Sequence, residues 1–268
     1  MKIGVLGNST VKQTLQTMEE LTVFLRGLGY DTFSYLTPSE IKDVDVVLVL
    51  GGDGAILHAA VVAAQRQAKI IGINYGTLGF LTEYEKDERE QVKELLSSLQ
   101  KGECPIVKRS LLQLEVDGEI YYALNEIAIQ RDYGWLSETG KQVLRLELEA
   151  KEGKDTICGD GLLICTPTGS TAYSLSAGGA ILTPEVPVIM MTPICAFSMR
   201  ARPIVFSDTD EFIVRTEGGK GMILADGRVV ATLEEGKEIR IKKAPFTADF
   251  PAKKNADFFA RVRNKLNG

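Results

Sequence analysis

The run Val44 to Leu50 (VDVVLVL), followed at once by Gly51-Gly52-Asp53-Gly54, constrains the fold more than any other stretch of the chain. An apolar run of this kind reads as a strand buried on both faces, and such strands belong to parallel sheets with helices above and below. The neighbouring segments agree. Ile3 to Leu6 is a short apolar strand, and Leu15, Met18, Leu21, Leu25 and Leu28 recur at helical spacing before Gly29, a helix C-cap glycine. Ala55 to Ala64 has helical composition, and Ile70 to Ile73 is a further strand, continuing into Asn74-Tyr75-Gly76-Thr77-Leu78-Gly79-Phe80. Val92, Leu95, Leu96 and Leu99 mark one more amphipathic helix. This alternation predicts a mostly parallel sheet covered by helices.

Beyond Pro105 the period changes from helical to two. Leu112, Leu114 and Val116 alternate with polar residues up to the hairpin turn Asp117-Gly118, and Ile120 to Ala123 returns. Leu144, Leu146, Leu148 and Ala150 alternate before a turn at Glu152-Gly153. Phe212 and Val214, the hairpin of Leu224 to Val230 around Asp226-Gly227, and Ile239 and Ile241 continue the pattern. This half is β-rich, with one short helix expected after Thr171. From Asp257 to Leu266, Phe258, Val262 and Leu266 share a helical face. The expected division is an α/β domain over residues 1–105, a β-rich domain over 106–250 and a helical tail over 251–268 that packs back on the first domain.

With 268 residues the chain is long enough for two such domains. Its net charge of -5 argues against a nucleic-acid binder, which works by neutralising phosphates with a basic surface. Anionic nucleotides would instead require a metal ion or a local Lys/Arg cluster. Cys104, Cys158, Cys165 and Cys195 form no Cys-x-x-Cys pair, and His58 is the only histidine, so zinc ligation is not expected. Met1-Lys2 leads straight into the first strand, so a signal peptide is not expected. No apolar run approaches the ~20 residues of a membrane span. These features fit a soluble protein of the reducing cytoplasm.

Three segments carry chemistry. In Gly51-Gly52-Asp53-Gly54 the glycines let a phosphate or ribose approach the backbone, and the following helix N-terminus offers free amides. Asp53 can reach a ligand hydroxyl or a metal, although a tight turn with a solvated aspartate reads as well. The chain has no Gly-x-x-x-x-Gly-Lys-Ser/Thr, which excludes a P-loop kinase. In Gly159 to Gly179 (GDGLLICTPTGSTAYSLSAGG) a strand enters a turn crowded with small hydroxyls beside Tyr173, suited to a sugar, an amide or an adenine edge. A Ser/Thr-rich cap with a core tyrosine is the plainer alternative. Leu124-Asn125-Glu126 closes a strand, and an asparagine there offers both donors and an acceptor. His58 lies one turn into the helix after the glycine turn, where either a surface or a binding role is open. With no Gly-x-Ser-x-Gly elbow, serine-hydrolase chemistry is not expected.

Taken in this order, the three segments resemble the NAD kinases. Gly72-Ile73-Asn74 through Gly79-Phe80-Leu81 and Ala225-Asp226-Gly227 add to the match, which runs from about Ile3 to the last strands. The glycine turn alone is shared with phosphofructokinase-like and lipid kinases; the Thr-Pro-Thr-Gly-Ser-Thr-Ala-Tyr segment is not. The resemblance implies a Rossmann-like α/β N-terminal domain and a β-rich C-terminal domain, α+β overall, with NAD in the cleft between them. It implies transfer of the γ-phosphoryl group of ATP to the 2′-hydroxyl of the adenosine ribose of NAD, giving NADP. Asp53 would orient or deprotonate that hydroxyl, and Gly51, Gly52 and Gly54 would lie against the phosphates of ATP. Gly54, His58, Asn125, Glu126, Thr171, Ala172, Tyr173, Ser174, Ser176 and Arg228 would bind NAD. Asp160 would contact NAD in a neighbouring subunit of a homodimer or homotetramer with shared active sites. Mg²⁺ would bridge the ATP phosphates, with no protein side chain assigned to it.

Four places depart from the family pattern. Ala55 replaces the usual threonine, removing one hydroxyl near the phosphates. Cys158 stands where a basic residue is frequent. Ala196-Phe197-Ser198-Met199 replaces a Pro-His-Ser-Leu-like stretch, and Arg228 replaces a common glutamine. Rival readings are a lipid or sugar kinase of the same glycine-turn group, which the hydroxyl-rich segment disfavours, and an NAD(P)-binding sensor, which Asp53 disfavours.

Overall fold

The structure, a computed structural model, describes residues 1–7, 12–75, 79–132, 134, 143–253 and 257–266. Gly76, Thr77 and Leu78 of the sequence match lie outside the described residues. The chain forms two compact units, one of Met1–Arg109 with Phe246–Gly268, the other of Ser110–Pro245.

The first unit holds a five-stranded parallel sheet: β1 (Lys2–Leu6), β2 (Asp31–Tyr35), β3 (Val46–Leu50), β4 (Lys69–Asn74) and β5 (Tyr84–Glu85), in the order β2-β1-β3-β4-β5. Helices α1 (Lys12–Gly27), α2 (Asp53–Gln65) and α3 (Arg89–Gln100) connect them. Every residue of β3 is fully or almost fully buried, as expected of a central strand covered on both faces. Ile3, Val5, Leu48, Leu50, Ile71 and Ile73 pack with Met18, Leu21 and Leu25 of α1 and Val92, Leu95 and Leu96 of α3. The strand order reverses between β1 and β3, and the carboxyl end of β3 opens directly into the glycine turn. In sheets of this kind ligands bind outside such a switch point.

The second unit is a sandwich of two antiparallel six-stranded sheets. One has the order β10-β9-β14-β17-β6-β7, with β6 (Ile106–Val116), β7 (Glu119–Ala123), β9 (Leu144–Ala150), β10 (Gly153–Gly159), β14 (Phe212–Gly218) and β17 (Glu238–Pro251). The other has the order β13-β12-β11-β8-β15-β16, with β8 (Glu126–Arg131), β11 (Gly161–Cys165), β12 (Val188–Ile194), β13 (Ile204–Ser207), β15 (Gly221–Ala225) and β16 (Arg228–Leu233). The alternating residues of both inner faces form the core: Leu112, Leu114, Leu144, Leu146 and Leu148 from one sheet, Ile127, Ile129, Leu162 and Ile164 from the other. The predicted turns are in place. Asp117 and Gly118 (φ 51° and 82°) join β6 to β7, and Asp226 and Gly227 (φ 47° and 77°) join β15 to β16, both with the paired positive φ that two-residue hairpins require. After β11 the chain makes a 3₁₀ turn at Thr168–Thr171 and one turn of helix, α4 (Tyr173–Ser176).

The tail returns to the first unit, where Ala252 N–H donates to Pro105 O at 2.9 Å, and ends in α5 (Phe258–Leu266). No residue of α5 is buried, and Leu266 is exposed. Phe258 and Val262 of the apolar face are half-buried, and Arg261 Nη1–H adds a hydrogen bond to Phe80 O at 2.7 Å. No helix among the described residues is long and apolar enough to cross a membrane.

Candidate functional site

Asp53 is the first residue of α2, with Gly52 as the N-cap. Its two carboxylate oxygens each accept a backbone N–H, Oδ2 from Phe80 at 2.7 Å and Oδ1 from Leu81 at 2.9 Å. Gly79 N–H donates to the buried Thr82 Oγ1 at 3.0 Å, which curls this segment toward the carboxylate. A Cβ on Gly79 would collide with the Asp53 carboxylate, so the close approach needs a glycine. The result is a carboxylate fixed at a helix N-terminus, partly exposed, with one lone pair left on each oxygen for an incoming donor. Gly52 and Gly54 flank it in the open, and His58, exposed, follows one turn along α2. Among the described residues no three His, Cys, Asp or Glu side chains gather as a metal site.

In the second unit, Asn125 and Glu126 lie at the start of β8 and are almost fully buried. Asp226 of the β15–β16 hairpin holds them by the backbone: Oδ2 accepts Leu124 N–H at 2.8 Å, and Oδ1 accepts Asn125 N–H at 2.8 Å and Glu126 N–H at 3.2 Å. On the other side Thr166 N–H donates to Asn125 O at 2.9 Å, Thr166 Oγ1 donates to Leu124 O at 2.6 Å, and a Cβ on Gly169 would strike the Asn125 backbone. Segments some forty and a hundred residues away thus clamp three consecutive peptides and aim their side chains. Glu126 Oε2 is buried without a hydrogen-bond partner. Burial, with Asp226 nearby, raises the Glu126 carboxyl to about 8. Burial also raises Asp226, and its three N–H donors oppose the shift.

The hydroxyl-rich segment divides into two groups. Thr166, Ser170 and Ser174 are buried and spend their hydroxyls inside: Ser170 Oγ donates to Pro167 O at 2.6 Å and accepts Leu182 N–H at 2.9 Å, and Ser174 Oγ pairs with Thr192 Oγ1 at 2.8 Å. Thr171 and Ala172 are half-buried, and Tyr173 and Ser176 are exposed. Tyr173 is not a core tyrosine; its ring is on the surface and its hydroxyl accepts Gln130 Nε2–H at 2.9 Å. Asp160 is partly exposed and pairs with Arg131 at 3.2 Å. Arg228 is exposed on the hairpin. The contributions of Phe80, Leu81, Thr166 and Thr192 escaped the sequence reading because they are made by backbone groups or by hydroxyls whose partners are distant in sequence.

Residues 5–104 match the model of the ATP-NAD kinase N-terminal domain, and residues 124–251 that of the ATP-NAD kinase C-terminal domain. The chain is 32% identical to the NAD kinase of Methanothermobacter thermautotrophicus, over 99% of this chain and 96% of that one. It belongs to the NAD kinase family. Against the NAD kinase of Carboxydothermus hydrogenoformans the identity is 37%, over 84% of this chain and 80% of that one. The structure of an Archaeoglobus fulgidus NAD kinase in complex with ATP superposes with a TM-score of 0.80 at 26% identity, covering 100% of this chain and 99% of that one. The chain is therefore a phosphotransferase with an alcohol group as acceptor, and its α/β and β-rich units are those of the family fold.

Proposed function

We propose that this NAD kinase transfers the γ-phosphoryl group of ATP to the adenosine 2′-hydroxyl of NAD, with Asp53 as the base. The observation that carries the reading is the Asp53 carboxylate, fixed by Phe80 and Leu81 N–H at the amide-rich start of α2. The 2′-oxygen bonds to the γ-phosphorus, the bond to the β–γ bridging oxygen breaks, ADP leaves, and the hydroxyl proton passes to Asp53. Gly51, Gly52 and Gly54 leave the backbone open to the triphosphate. Asn125 and Glu126, with Thr171, Ala172, Tyr173 and Ser176, hold NAD; Ser174 supports them from beneath, and His58 and Arg228 complete the contacts. Mg²⁺ fits as a passenger of the triphosphate, since the described residues gather no cage for it and Mg²⁺ commonly binds through phosphates and one or two carboxylates. When bound it offsets phosphate charge. The chain acts in the cytoplasm to make NADP. Incubation of the pure protein with Mg-ATP and either NAD or NADH, with chromatography for the 2′-phosphorylated product, tests the reading; absence of product from both would overturn it.

Tyr173→Ala is expected to weaken NAD binding by on the order of 1 kcal/mol, five- to tenfold in Kd, while ATP affinity changes less than twofold. The reason is the exposed ring, whose hydroxyl accepts Gln130 Nε2–H and whose place beside Thr171 and Ser176 puts it where the dinucleotide is proposed to lie. Isothermal titration with each nucleotide separates the two effects. Equal losses for both, with a lowered melting temperature, would return the tyrosine to a packing role.

The protein assembles as a homodimer or homotetramer in which Asp53 of one subunit and Asp160 of another serve the same site. A two-fold interface makes each chain donate what it receives. Separately inactive Asp53→Asn and Asp160→Asn proteins, dissociated and reassembled together, should then regain activity, because a mixed interface holds one site with both aspartates intact. Flat activity in mixed oligomers verified by light scattering would mean that each chain completes its own site.

A further inference from the structure

We infer that the C-terminal tail is part of the catalytic apparatus, with Arg261 as a positioning residue that holds Asp53 in place through the Phe80 peptide; this rests on Asp53 being the catalytic carboxylate. Phe80 is gripped at both ends. Its N–H donates to Asp53 Oδ2 at 2.7 Å, and its carbonyl accepts Arg261 Nη1–H at 2.7 Å. A single residue therefore joins the guanidinium of α5 to the carboxylate of α2.

The rest of the tail reinforces the grip. Arg261 Nη2 stands 3.6 Å from Glu83 Oε1, with both side chains largely buried (17% and 12% exposed). Lys253 N–H donates to Glu83 Oε2 at 2.9 Å, and Lys253 Nζ bonds Glu88 at 2.6 Å and 2.9 Å while lying 4.9 Å over the Tyr84 ring. Lys265 Nζ lies 5.5 Å over the ring of Phe80. Six cationic or N–H contacts thus converge on residues 80–88, while no residue of α5 is fully buried. The largely buried guanidinium donates a charge-assisted hydrogen bond to the carbonyl at 2.7 Å. Fixing Phe80 fixes two donors, its own N–H and that of Leu81, and both point at Asp53. A base displaced by a fraction of an ångström loses its alignment with the reacting hydroxyl, which lowers turnover without touching the surfaces that bind substrate.

The test uses the full-length protein with Arg261→Met, which keeps the aliphatic stem and removes the donors, and Arg261→Lys, which restores one. Arg261→Met should lower kcat about tenfold, with KM for NAD and for ATP within twofold of wild type. Arg261→Lys should fall between, about threefold below wild type. Adding Arg261→Met to Asp53→Asn should change the residual kcat less than twofold, since the group it positions is already gone. An undiminished tenfold loss in the Asp53→Asn background would show that Arg261 acts elsewhere and overturn the inference. So would wild-type kcat in Arg261→Met. If Arg261→Met does not fold, Arg261→Lys decides: wild-type kcat in that variant overturns it. Wild-type protein that forms no phosphorylated NAD would remove the base assignment and the inference together, an outcome distinct from an active enzyme indifferent to Arg261.

Discussion

Asp53→Asn is expected to lower kcat by roughly 10²- to 10⁴-fold, the usual contribution of a general base, while the Kd for NAD stays within about threefold. The amide is nearly isosteric with the carboxylate but cannot take a proton. It also cannot replace the carboxylate fully in the resting protein. Both oxygens of Asp53 accept backbone N–H groups, from Phe80 and from Leu81. Asparagine has a single acceptor oxygen, so one of these donors must face an NH₂ group. Leaving a partly buried N–H unsatisfied costs about 1–3 kcal/mol, and the melting temperature should fall by several degrees for a chain of this size. The variant thus has two separable signatures, a small thermal shift and a large kinetic loss. Stopped assays of the 2′-phosphorylated product give kcat, calorimetry gives the NAD Kd, and scanning calorimetry gives the thermal shift. Retention of more than about a tenth of wild-type kcat would rule out the base role. If raised Mg²⁺ restored a substantial part of the activity, the carboxylate would be a metal ligand instead.

The first half of this chain was legible because its signals are local and redundant. Val44 to Leu50 can satisfy its side chains only when covered on both faces, and β3 is the central buried strand. The glycine turn could be placed at the end of that strand from sequence alone, and so could the Asp117-Gly118 and Asp226-Gly227 hairpins, since their geometry needs those residue types. The pairing of twelve strands into two sheets was not legible. Strand partners such as β14 with β9 or β15 with β8 are set by contacts across the chain rather than by local pattern. Strand β13 was missed altogether. It lies at a sheet edge with Ile204 and Val205 exposed, so burial imposes no alternation on it. At the site, the hydroxyl crowding of residues 166–176 was visible, but its division was not. Ser170 and Ser174 are spent on Pro167, Leu182 and Thr192, partners that no spacing rule names. Asp226 was legible as a turn residue, whereas its role as the acceptor for three successive peptides a hundred residues away required the fold. Arg261 stood in a segment whose apolar spacing suggested packing, and its hydrogen bond to the Phe80 carbonyl, 181 residues away in the chain, had no local signal.

Glu126 gives the second large effect, and it appears in stability against pH. Its carboxyl is buried, with Oε2 unpartnered, beside Asp226. Two carboxylates cannot both stay ionised in such a place at little cost, and the division between them follows from their partners. Asp226 accepts three backbone N–H groups, which favour its charged form, while Glu126 has no such support and keeps its proton. The folded-state value is raised from the ordinary 4.5 to about 8. Folded protein therefore holds a proton that the unfolded chain releases near its ordinary value. Between these limits the folded state binds more protons, so stability falls as pH rises from about 4.5 and levels off above about 8. At about 1.4 kcal/mol for each pH unit of difference, the full window amounts to a few kcal/mol once relaxation of a coupled pair is allowed for. Glu126→Gln cannot ionise and keeps the shape. Its melting temperature should match wild type near pH 5 and exceed it by several degrees at pH 8, because the variant lacks the descending limb. Differential scanning calorimetry at half-unit steps from pH 5 to 8.5 measures both slopes. Parallel slopes for the two proteins would mean that Glu126 is already ionised in the folded state, with a cation or solvent reaching Oε2.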